Sequence, residues 1–198
     1  MKTVRKHTNN QWVILYIERW LKAPIVETDG GITMRTKGTP QGGVISPLLC
    51  NLFMHYVFDV WMDKHYPKVP HCRYADDGLA HCKSEEEAKL ILLSLRKRFE
   101  ECALELHPDK TRIVYCSDEN RKSQYTNTSF DFLGYTFRRR ASHNKVTGQL
   151  FMNFTPSVSK ASIKSMRDKV RGARLSRRTE LSLEEIAHWW NPIIRDVS

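Results

Sequence analysis

Asp76 and Asp77 stand side by side, after Tyr74-Ala75 and before Gly78. The runs on either side, Val69-Pro70-His71-Cys72-Arg73 and Gly78-Leu79-Ala80-His81-Cys82, mix apolar and polar residues without helical spacing. They read as two short strands pinched around the acidic pair, with Gly78 supplying turn freedom. Adjacent carboxylates repel each other, and a hard divalent cation with oxygen ligands relieves that repulsion. Where phosphates are the substrate, Mg²⁺ is the usual occupant. A solvated Asp-Asp turn carries the same residues, so the pair takes its meaning from the rest of the chain.

Several elements are needed to hold that turn. Trp12, Ile14, Leu15, Ile17, Trp20 and Leu21 recur at helical spacing and stop at Pro24, and a β-type stretch follows around Asp29-Gly30-Gly31. The glycine-rich loop Thr36–Gly43 leads into an apolar helix with Ser46 as N-cap and Pro47 in its first turn. After the acidic hairpin, Ser84 and Glu87 form a capping box for a helix whose apolar face is Ala88, Ile91, Leu92, Leu95, Phe99 and Cys102. Strands are expected at Leu104–Leu106, Arg112–Cys116 and Phe130–Phe137, the last paired with 149–154. Residues 158–174 read as a basic helix, and Ser182 with Glu185 caps another through Trp189 and Trp190. A boundary is expected near 156. The whole reads as an α+β fold, a small antiparallel sheet with helices on one face and a helical appendage.

The formal net charge of the 198 residues is +10, and its placement matters more than its size. Twelve Lys or Arg and a single acid, Asp168, lie between Arg138 and Arg178, whereas the remainder carries twenty basic and twenty-one acidic residues. Such segregation suits a surface that neutralises a phosphate backbone. No apolar run reaches the ~20 residues of a membrane span. Five scattered cysteines, an odd number without C-x-x-C spacing, read as reduced residues of a cytoplasmic protein. His71-Cys72 and His81-Cys82 bracket the hairpin, but strand alternation sends neighbouring side chains to opposite faces, which argues against a zinc site.

Four stretches, in order, resemble a reverse transcriptase of the group II intron type. They are Gly38-Thr39-Pro40-Gln41-Gly42 with Ile45-Ser46-Pro47-Leu48-Leu49, then Tyr74-Ala75-Asp76-Asp77, then Leu106-His107-Pro108-Asp109-Lys110-Thr111, then Phe132-Leu133-Gly134-Tyr135. The resemblance implies a polymerase palm over 1–156, without fingers or the first catalytic strand, and the start of a thumb or maturase region over 157–198. It implies that Asp76 ligates Mg²⁺ with Asp77 assisting, and that Pro40, Gln41, Gly42 and Tyr74 meet template and incoming nucleotide. Leu133 and Gly134 would then grip the primer end.

Within that reading Lys110 places positive charge near the leaving pyrophosphate, though a solvated turn lysine is equally in keeping with its position. Arg138, Arg139 and Arg140, with Lys160, Lys164, Arg167 and Arg171, meet phosphates. Upstream of Gly38 the acids are Glu18, Glu27 and Asp29, none in an apolar strand beside an aromatic. The resemblance implies a principal partner carboxylate on an earlier strand that also carries aromatic residues, which these residues do not supply, and the chain is expected to polymerise little or not at all without the missing N-terminal part of the enzyme. The implied partners are an RNA template, a DNA primer and dNTPs. Two other functions fit the residues: an RNA-binding maturase module that holds intron RNA and aids splicing, and an unrelated metal-dependent phosphoryl hydrolase.

Overall fold

The Asn10 side chain accepts hydrogen bonds from the Trp12 and Val13 amides at 3.0 and 3.3 Å and starts helix α1 (Gln11–Lys22), which ends before Pro24. The computed structural model to which this helix belongs describes residues 1–26, 30–34, 38, 43–121, 124–174 and 180–195, the side chains of 193–195 excepted. Two compact units emerge, Met1–Thr111 and Arg112–Ser198. In the first, α1 buries Ile14 and Ile17, and β1 (Ile25–Val26) pairs antiparallel with β2 (Ile32–Thr33) around the expected turn.

The apolar run after the glycine-rich loop forms α2 (Ser46–Met54), a π-helical segment (His55–Asp59) and α3 (Val60–His65) without interruption. Ile45 occupies the cap position expected for Ser46, which is instead the first helical residue, with Pro47 tolerated beside it. The π segment was not legible in the residue pattern. Its wider turn offers carbonyls to outside donors, and Arg98 takes up those of Tyr56 and Val57, both at 3.3 Å.

Arg98 belongs to α4 (Glu85–Glu101), the expected capped helix. Ser84 Oγ accepts from the Glu87 amide at 3.2 Å, and the Glu87 carboxylate reaches back to the Lys83 amide at 2.6 Å. Ile91 and Phe99 of α4 join Met54, Val57, Phe58, Met62 and Val69 in the core. Over this core lies the acidic hairpin, β3 (His71–Tyr74) and β4 (Asp77–Ala80), with Tyr74 opposite Asp77 and Arg73 opposite Gly78.

Gly78 plays a different part from the one expected. It lies within β4, and the positive φ of the turn belongs to Ala75. A Cβ on Gly78 would sit 3.3 Å from Cζ of Phe58, so the ring packs directly against its backbone and any side chain there would have to push the ring aside by a few tenths of an ångström.

Leu104–Leu106 and Arg112–Cys116 are not strands. A strand needs a ladder, and these segments have isolated backbone bonds such as Tyr115 N–H to the Asn127 carbonyl at 2.9 Å. Leu104 and Leu106 pack against the first unit's core instead.

In the second unit, the single strand expected over 130–137 is a hairpin. β5 (Ser129–Phe132) and β6 (Tyr135–His143) flank Leu133 (φ 49°) and Gly134 (φ 80°), the two positive values of a type I′ turn. β7 (Leu150–Val158) completes a meander, in partial agreement with the expected pairing. Phe130 and Phe137, opposite each other, stack with centroids 4.9 Å apart.

Pro156 lies inside β7 opposite Phe137. The β6–β7 ladder ties the region around 156 to the chain before it. Ser159 caps α5 (Lys160–Ala173) by accepting from the Ser162 amide, and Ser182 with Glu185 caps α6 (Leu183–Arg195) as expected. The fold is thus α+β, its strands forming three small antiparallel sheets among the described residues. No helix among those residues is long and apolar enough to cross a membrane.

Two glycines should respond in opposite directions. Gly78→Val drives a branched side chain into Phe58 and should lower stability by about 1–3 kcal/mol. Gly172→Ala, in α5 with nothing within 4 Å of the added methyl, should raise it by about 0.5–1 kcal/mol. Equilibrium urea unfolding checks both, and equal shifts of the same sign would refute the assignment.

Candidate functional site

The acidic hairpin turns through two residues, Ala75 and Asp76. Ala75 has φ 52° while Asp76 does not share the positive sign, and a positive φ is a conformation that favours glycine. An alanine held there stores about 1–3 kcal/mol of strain. Asp76 and Asp77 are both exposed, and neither carboxylate has a hydrogen-bond or ion-pair partner among the described residues. Tyr74, beside them at the end of β3, is 63% exposed.

One guanidinium anchors this tip. Arg73 Nε and Nη2 donate to Asp59 Oδ1 and Oδ2, each at 2.8 Å. Its Nη1 donates to Asn51 Oδ1 at 2.9 Å and to the Ala75 carbonyl at 2.6 Å. The Arg73 side chain is 8% exposed, and hydrogen bonds to charged groups so shielded contribute about 1.5–3 kcal/mol each. Burial raises the Asp59 carboxyl, but the bonds from Arg73 and His55 outweigh it and hold that group below its ordinary range. The Asp59 bond in turn pushes Arg73 up.

The sequence reading missed Arg73, Asp59 and Asn51. A signal existed, because Asn51, His55 and Asp59 recur every four residues, with Asp63 next in the series, as a polar stripe on a helix that is mostly apolar up to Met62.

The other predicted residues are dispersed. Pro40, Gln41 and Gly42 lie outside the described residues. Lys110 is exposed in the turn after α4, and among the described residues no hydrogen bond or ion pair joins it to Asp76 or Asp77.

In the second unit Leu133 and Gly134 form the β5–β6 turn, which docks on the start of α5. The Gly134 carbonyl accepts from the Ser159 amide at 2.8 Å and from Ser162 Oγ at 3.0 Å. The arginine run does not form one strip, because alternation places Arg138 and Arg140 on one sheet face and Arg139 on the other. Arg140 is half-buried and its Nε has no hydrogen-bond partner among the described residues. Lys160, Lys164, Arg167 and Arg171 are all exposed, at spacings of four, three and four along one face of α5.

Asp76 and Asp77 suit Mg²⁺ in donor type, since both are carboxylate oxygens open to a ligand. Mg²⁺ commonly takes one or two carboxylates and completes its shell with water and substrate phosphate. No group of three His, Cys, Asp or Glu that could hold a metal occurs among the described residues. Among the described residues the turn thus offers a cation two carboxylates and no third protein ligand of these types beside them.

Because the Asp59 carboxyl is depressed when folded, its stabilisation is present above the ordinary value of 3.8 and is lost as pH falls through the lower folded value. Between about pH 5 and pH 3 the Tm of Asp59→Asn should fall less steeply than that of the parent. Parallel acid profiles would exclude a stabilising Arg73–Asp59 pair.

The family described as reverse transcriptase (RNA-dependent DNA polymerase) matches residues 1–137. Protein YkfC of Escherichia coli (strain K12) is 27% identical over 175 residues, an alignment covering 72% of this chain and 43% of YkfC. The chain thus spans less than half the length of that curated relative. With well over half of its residues matched, the chain belongs to the reverse transcriptase family.

Proposed function

We propose that this chain supplies the palm and the beginning of the thumb of an RNA-directed DNA polymerase of the group II intron type. The observation that carries the proposal is the strained two-residue turn of a family member, which holds Asp76 and Asp77 exposed and, among the described residues, unpaired. Those two carboxylates would hold the metal. Bound there with its partner ion, Mg²⁺ supplies the positive charge that favours attack of a primer 3′-hydroxyl on an α-phosphate.

The chain's own residues position the reactants. Tyr74 offers an exposed ring beside the carboxylates, and Pro40, Gln41 and Gly42 let backbone approach template and nucleotide. Lys110 brings positive charge to the departing pyrophosphate. The Leu133-Gly134 turn, held by Ser159 and Ser162, grips the primer end. Arg138 and Arg140, on one sheet face, contact backbone phosphates, as do Arg139 and the basic face of α5.

Primer extension on an RNA template with Mg²⁺ and dNTPs tests this function. The chain alone should extend little. A second polypeptide that supplies an aspartate-bearing strand should raise synthesis, and Asp76→Ala should then reduce it on the order of 10²-fold or more. Restored synthesis indifferent to Asp76→Ala would refute the assignment, and vigorous extension by the chain alone would refute the missing-ligand account.

The exposed stripe on α5 favours a second role, binding of intron RNA in aid of splicing. RNA affinity should then fall steeply with salt and survive Asp76→Ala with Asp77→Ala. Replacing Lys164 and Arg167 by Ala should flatten the logarithmic salt slope by roughly 0.7–0.9 for each phosphate left without its cation. A slope unchanged by those substitutions would remove α5 from the interface.

A further inference from the structure

We infer that Arg73 is a positioning residue for the Asp76-Asp77 turn, and that Asp59 and Asn51 form the seat that holds it. The inference rests on the polymerase reading for what the turn does, and on geometry alone for how the turn is held.

Ala75 occupies a left-handed backbone conformation (φ 52°) that a residue with a Cβ adopts only when its surroundings impose it. Arg73 supplies that restraint, because its Nη1 grips the Ala75 carbonyl at 2.6 Å. The same guanidinium is fixed at its other edge by both oxygens of Asp59, and Asn51 Oδ1 shares Nη1. A planar fork can span these acceptors at once, whereas a lysine ammonium donates from a single point.

The seat itself is a helical irregularity. Asp59 ends the π segment that also contains Phe58, and Phe58 packs against Gly78, the residue opposite Arg73. Two consecutive residues of one π turn therefore hold the hairpin at paired positions, Phe58 by packing and Asp59 by charge. Such π insertions recur at functional sites, where one extra residue re-aims the side chains that follow.

The test uses the ¹⁵N-labelled chain, its Arg73→Lys variant and its Asn51→Ala variant, with two readouts. Amide hydrogen exchange should quicken at least tenfold over Cys72–Leu79 in Arg73→Lys, and less in Asn51→Ala, while the amides of Ile91 and Phe99 in α4 keep the parent's rates. Mn²⁺ titration should broaden the Asp76 and Asp77 resonances of the parent selectively, with the broadening weaker or more diffuse in Arg73→Lys. Exchange unchanged over the hairpin, or quickened equally in α4, would overturn the positioning role. Should Arg73→Lys fail to fold, Asn51→Ala decides by the same comparison. Absence of selective broadening in the parent would overturn the metal-holding reading of the turn, and exchange would still decide whether Arg73 holds it.

Discussion

The bidentate pair between Arg73 and Asp59 is the interaction on which the hairpin tip depends. A two-stranded hairpin is marginal by itself, and this one carries two adjacent negative charges at its turn. Packing on Met54, Val57, Phe58 and Met62 gives it a floor, but apolar contact is non-directional and cannot set a turn's dihedral angles. The guanidinium can, because its donors point in fixed directions and are shielded from competing water. Positive charge is thereby directed toward Asp59 and the Ala75 carbonyl, while Asp76 and Asp77 stay exposed and without a partner among the described residues.

The division of labour between the carboxylates follows from their surroundings. Asp59 is half-buried, fully engaged and held ionised, so its role is structural at this junction. Asp76 and Asp77 are exposed and unengaged among the described residues, the state expected of groups that await a cation and a phosphate. Family membership raises the weight of that reading, but function resides in the site rather than the fold. The second unit has a comparable logic, with a strained type I′ turn docked through its Gly134 carbonyl onto the capped start of a basic helix. In both units a tight turn is held by directional hydrogen bonds to the turn backbone.

Much of this arrangement was legible in the residue order. The stop before Pro24, the turn around Gly30-Gly31, the cap at Ser84 and the box at Ser182 and Glu185 depend on contacts within a few residues, and they fall where the pattern placed them. Elements that depend on distant partners fared worse. Leu104–Leu106 and Arg112–Cys116 have strand-like composition but no ladder, and composition cannot report whether a neighbour exists to pair with. Phe130–Phe137 read as one strand because Leu133 is an unusual residue for a positive φ, which masked the turn. Gly78 looks like a turn glycine in the residue order, yet what crowds it is the Phe58 ring, twenty positions earlier in the chain.

Residue order alone carries the local facts: two carboxylates adjacent at a hairpin turn, basic charge gathered late in the chain, and ordered motifs that mark a family. Those properties lie between neighbours along the chain, so periodicity, caps and charge spacing express them directly. Three further facts emerge only once the chain is folded. Arg73 reaches Asp59, a π turn presents Phe58 and Asp59 together, and the arginine run divides between two sheet faces. They depend on which surfaces meet across many residues and on the direction of each hydrogen bond, and neither is encoded in local spacing.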